Sequence, residues 1–130
     1  MIWAFLAYLL AGYSSYSTLS NDGVILSFVQ EDLEVRVARS ELADISWTTD
    51  AYGDPAITVK LRPEKAAEFA DLTSQSIGKA VTVLVCGEVV VEPVIRDTID
   101  GGTILLTGHL GRIDDATFMQ LQSGGCDVSP

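Results

Sequence analysis

Apolar and polar positions follow two different periods along this chain, and the switches between them mark its elements. Val24 to Val29 is a short apolar run; after the break Gln30-Glu31-Asp32, the residues Leu33, Val35 and Val37 alternate with Glu34 and Arg36. Period-two alternation predicts a strand in a sheet with one wet face. Ile45 to Thr49 favours strand by its Ile, Trp and Thr content. The loop Asp50 to Pro55 then delivers Ala56 to Leu61 as the next strand, with Ile57, Val59 and Leu61 on one face.

At Pro63 the period changes. Proline is tolerated in the first turn of a helix, where its missing donor costs nothing, and Ala66, Phe69, Ala70, Thr73 and Ile77 then recur at helical spacing. Gly78 is the expected left-handed stop. Ala80 to Val85 reads as a buried strand, Cys86-Gly87 as a hairpin tip and Glu88 to Val91 as its antiparallel return. Pro93 cannot donate to a ladder and ends that strand. Val94 to Thr98 is expected as a short helix or turn, Thr103 to Thr107 as a strand behind Asp100-Gly101-Gly102, and Ile113 to Gln122 as a second helix stopped by Gly124-Gly125. Strand, helix, hairpin, short connection and strand predict an α+β domain, a ferredoxin-like antiparallel sheet with helices on one face, plus extra N-terminal strands.

Ahead of these elements lies Ile2 to Gly12, IWAFLAYLLAG, followed by a serine-rich stretch from Tyr13 to Asn21. A helix of these eleven residues would cover about 16 Å, roughly half of a bilayer's hydrocarbon core. The length suits a secretory signal, and the small residues Ser15 and Ser17 stand where a signal peptidase could cut, before Thr18. No basic residue precedes the run, so an uncleaved membrane anchor and a buried or interfacial helix stay open as alternatives. No cysteine follows it, which excludes a lipoprotein anchor.

Composition narrows the function classes. Eighteen acidic against eight basic residues leave a net charge of -10 over 130 residues, with no charged side chain in the first 17. That sign opposes phosphate backbones and anionic lipid, which are held by Lys and Arg, so no nucleic-acid partner is expected. Glu64, Glu68 and Asp71 could form a carboxylate site, but acids in the first half of a helix also complement its dipole and stay solvated, which is the expectation here. Asp97 and Asp100 miss the alternate-residue spacing of a calcium loop. His109 has no neighbouring nucleophile in a recognisable triad motif and reads as a surface residue. Trp47 reads as a core or sheet-face aromatic rather than a ligand platform. No enzyme, catalytic residue, cofactor or metal is therefore expected.

Cys86 and Cys126 lack the close spacing of zinc or thioredoxin-like sites. Two free thiols are the simpler expectation, with Cys86 at a hairpin and Cys126 in a tail. An exported chain would permit one bridge, worth about 4 kcal/mol by loop entropy for a closure of roughly 40 residues.

One ordered set of motifs resembles a known family. Leu61, Pro63 and Glu64, then Phe69-Ala70-Asp71-Leu72-Thr73, Gly78, Gly87, Val89 to Pro93, Gly101-Gly102 and Gly108 follow the pattern of the head subdomain of the SecD periplasmic domain, the protein-export subunit. Ala116 to Gly124 resembles the family helix that precedes the next membrane span, and the likeness covers about Ile45 to Val128. Two departures matter. Arg62 stands where the family has a capping threonine, and Cys86 where it has the aspartate of an Asp-Gly turn.

The resemblance implies a non-enzymatic, exported or periplasmic module that binds polypeptide or export-machinery components. The alternative is a membrane-anchored structural subunit of a larger complex, held through Ile2 to Leu10 with the domain on the periplasmic side. Because this chain ends where SecD would enter the membrane, the family's coupling of proton flow to export is not expected of it. The division expected is 1–17 as signal peptide or membrane anchor, 18–44 as N-terminal strands, 45–125 as the SecD-head-like domain and 126–130 as a tail.

Overall fold

The computed structural model describes residues 23–107 and 113–126; the apolar run of residues 1–17 and His109 lie outside them. Among the described residues seven strands and two α-helices follow in order: β1 (Val24–Gln30), β2 (Leu33–Ala38), β3 (Leu42–Thr49), β4 (Pro55–Leu61), α1 (Pro63–Ser74), β5 (Thr82–Val85), β6 (Glu88–Val91), β7 (Thr103–Thr107) and α2 (Asp115–Ser123). A single 3-10 turn, Arg39–Glu41, separates β2 from β3.

The α+β class with antiparallel pairing is observed, but the strands divide between two sheets where one ferredoxin-like sheet was expected. One has the order β2-β1-β5-β6 and the other β3-β4-β7. The N-terminal strands are thus not additions to the sheet. β1 is central, with Phe28 opposite Val35 on one side and Val83 on the other, and Leu26 between Val37 and Val85. Such apolar cross-strand pairs are the unit of sheet stabilisation, and β5 finds them on β1 rather than beside β4.

The chain changes sheets three times, the last between β6 and β7. At Arg39–Glu41 the Glu41 carboxylate accepts a hydrogen bond from the Ala38 N–H at 2.9 Å and turns the chain from β2 into β3. The second crossing is α1, which leaves β4 in one sheet and delivers β5 to the other. Its Phe69 packs on Phe28 of β1 with ring centroids 4.5 Å apart, and the buried faces of both sheets join the helices in one core.

The ends of α1 show why two local expectations shifted. Arg62 supplies no side-chain cap; instead its Nε donates to the Ser40 carbonyl at 2.8 Å and its backbone N–H to the Glu41 carbonyl at 2.9 Å, tying the helix start to the 3-10 turn. The helix ends at Ser74, before Gly78, because short polar side chains take up its last carbonyls. Ser74 Oγ donates to Asp71 O at 2.8 Å and the buried Ser76 Oγ to Leu72 O at 2.6 Å. Phe69 and Thr73 of the expected stripe are buried, with Leu72 beside them, but Ile77 lies beyond the helix and is 48% exposed.

Val94 to Thr98 forms no helix. It is held extended through bridges of Ile77 to Ile95 and Ala80 to Val94. Gly102 marks the closest approach of this region to α1. With φ +73, a Cβ built on it would lie 2.7 Å from the Ala66 Cβ, and its carbonyl accepts from the Leu61 N–H at 2.8 Å.

The cysteines correct a further expectation. Cys86 and Cys126 are joined in a disulfide, with Cα atoms 5.4 Å apart. Gly124 at φ 78 reverses the chain at the end of α2, so Cys126 returns to the β5–β6 hairpin instead of leaving as a tail. A fold-back of this kind has no periodic signature in sequence.

Candidate functional site

The site is a groove of about 330 Å³ between β7 and the connection that carries Val94 to Ile99, floored by Phe28, Phe69, Val83 and Ile104. Each wall is fixed by backbone bonds. The Ile95 N–H donates to Lys79 O and the Gly78 N–H to Ile95 O at 2.9 and 2.7 Å, while the Val81 N–H donates to Pro93 O at 2.9 Å. Buried Thr73 Oγ1 accepts from the Ile99 N–H at 3.0 Å, locking the far end of the connection to α1. Opposite, β7 pairs with β4 from Ala56–Thr107 to Lys60–Thr103.

At the rim, Val94 is 54% and Leu105 44% exposed. Among the described residues β7 pairs on one side only, so its other edge faces the groove. Its sequence, TILLT, has no charge, whereas β2 carries Glu34 and Arg36, β3 carries Asp44 and β6 carries Glu88. Charged side chains on an edge strand discourage pairing with another chain. Of the four sheet edges among the described residues, β7 alone lacks them, and it borders the apolar groove.

The polar candidates do not converge on this site. Glu64, Glu68 and Asp71 lie exposed on α1, with Glu68 paired to Lys65 at 3.2 Å; Lys65 also reaches Glu41 at 3.8 Å. Asp97 lines the groove wall, and Asp100 is exposed before β7. Among the described residues no three His, Cys, Asp or Glu side chains are grouped to hold a metal ion. Trp47 lies on β3, 40% exposed, and stacks on Phe118 of α2 with centroids 5.1 Å apart. The groove itself had one legible signal, the uncharged strand behind a double glycine, but its floor is assembled from four separate parts of the chain.

The family model of the SecDF P1 head subdomain matches residues 18–123. This chain belongs to the SecDF P1 head family. It is 36% identical over 92 residues to the protein translocase subunit SecD of Dictyoglomus turgidum, covering 71% of this chain and 23% of that protein. It is 34% identical over 91 residues to the protein translocase subunit SecDF of Thermus thermophilus, covering 68% and 12% respectively. The P1 head chain therefore spans less than a quarter of these relatives.

Two solved SecDF structures share the fold. That described as "Structure and function of a membrane component SecDF that enhances protein export" superposes with a TM-score of 0.62 at 24% identity, over 88% of this chain and 70% of that one. SecDF in its super-membrane-facing form gives 0.59 at 33% identity, over 71% and 13%. Among the described residues of this P1 head no helix is long and apolar enough to cross a membrane.

Proposed function

We propose that this P1 head is a non-catalytic polypeptide-binding module of protein export, which holds an extended apolar segment in the groove beside β7. The observation that carries this reading is the uncharged open edge of β7 on an apolar floor. A bound segment adds to the sheet through its backbone, while alternate side chains descend onto Phe28, Phe69 and Ile104. Main-chain bonds give affinity and the floor selects apolar side chains, the logic of strand addition. The kinship with protein translocase subunits supports an unfolded client or a translocon component as the polypeptide.

In this reading residues 1–17 are an export signal, 18–44 and 45–125 together build the binding domain, and the domain works in the periplasm or beyond the membrane. The test is fluorescence anisotropy with a labelled 12-residue unstructured peptide of alternating apolar and polar residues. Leu105→Lys places a charge on an exposed edge position and is expected to weaken binding at least about tenfold, or about 1.4 kcal/mol, with an unchanged unfolding midpoint. Equal affinity of the variant and the native chain would refute the site.

The apolar run Ile2 to Gly12 favours a second reading, a membrane-anchored structural subunit that docks permanently on a partner. Mass analysis of the N-terminus after fractionation separates the two. A soluble species starting at Thr18 supports export, and a membrane-bound species retaining Met1 supports the anchored subunit.

A further inference from the structure

We propose that the Cys86–Cys126 disulfide is a redox-controlled clamp on α2, which decides whether Phe118 of that helix stays docked on the half-exposed Trp47. α2 has nine residues, too few to persist as a helix in water without docking. Its docking includes buried Thr117 and Leu121, the Phe118 stack on Trp47 and a 2.8 Å hydrogen bond from Arg39 Nε to Gln122 O. The disulfide adds a covalent tie at the end of the helix, two residues beyond Gly124. Its other end is the hairpin tip, where the Cys86 N–H donates to Ile25 O at 2.9 Å, so the tie runs directly to the end of a central strand pair.

Of the two bridged residues Cys126 is exposed and Cys86 half-buried. A dithiol reductant can therefore reach the bond. Its thiolate attacks the Cys126 sulfur, the Cys86 sulfur leaves as a thiolate and takes up a proton, and the second thiol of the reductant displaces Cys126. Two electrons and two protons pass to the protein, and the reductant leaves as a disulfide. The opened clamp leaves α2 held by its few non-covalent contacts. Its release exposes Trp47 further, together with the socket of Leu121, whereas Phe118 stays stacked on Trp47 and Leu121 stays buried in an oxidising compartment.

The experiment is hydrogen exchange on the full chain, oxidised and then treated with dithiothreitol, with the fluorescence of Trp47 followed in a Trp3→Phe variant. Exchange protection in α2 is expected to fall relative to that in β1 by at least about tenfold on reduction, because the helix opens locally while the sheets stay folded. Trp47 emission is expected to shift to the red, and Cys126→Ser to match the reduced protein without reductant. An unchanged ratio of α2 to β1 protection would overturn the clamp, since the bond would then stabilise only the whole fold. Alkylation of two free thiols in the oxidised sample would overturn it as well.

Discussion

Replacing Gly102 with alanine probes the contact that sets where β7 begins and hence one wall of the groove. The new Cβ would stand 2.7 Å from the Ala66 Cβ and 3.4 Å from the Leu61 carbonyl oxygen, on a residue held at φ +73. The left-handed conformation costs a residue with a Cβ roughly 1–2 kcal/mol. Crowding in a packed site costs typically about 1–3 kcal/mol, and the neighbours here are backbone and the first atom of a side chain, which cannot swing away. A loss of about 3 kcal/mol is expected. With a urea slope of about 2 kcal/mol/M that is a midpoint about 1.5 M lower, read by far-ultraviolet circular dichroism at constant slope. Ala66→Gly in the same background removes the opposing carbon and should restore the crowding part, beyond the roughly 1 kcal/mol that a helical glycine costs by itself. A midpoint shift under about 0.3 M for Gly102→Ala, or the same loss with and without Ala66→Gly, would refute the close approach.

Two further substitutions test how α1 is seated. Phe69→Ala removes a ring that is 2% exposed and packed on Phe28, so a loss of about 3–5 kcal/mol is expected in denaturant titrations; a loss below about 1 kcal/mol would mean the two rings are not a shared core. Arg62→Thr exchanges the bond to Ser40 O for a conventional helix cap. Each is worth about 1 kcal/mol, so stability should change by less than about 0.5 kcal/mol, whereas Arg62→Ala, which has neither, should lose about 1 kcal/mol.

The strand Val24 to Val29, the hairpin at Cys86-Gly87, the strand Thr103 to Thr107 and the stop at Gly124 lie where period and turn chemistry put them, because each depends on interactions within a few residues. Ile77 falls outside the buried stripe because the helical period was extended past Ser74, where side-chain hydrogen bonds to Asp71 O and Leu72 O end the helix. The groove was legible only as its uncharged strand, since Phe28 and Phe69 reach its floor through separate elements.

By itself the sequence determined the α+β class, the position of most strands and both helices, and membership of the SecDF P1 head family, through local periodicity and motifs in order. Only the tertiary structure decided that the strands form two sheets, that β1 takes a central place beside β5, that Cys126 folds back to Cys86 and that β7 borders an apolar groove. The physical reason is the same in each case. A period of two tells which face of a strand is apolar but not which strand will lie beside it. That choice rests on contacts such as Phe28 against Val83 and Phe69, which exist only after distant parts of the chain have met.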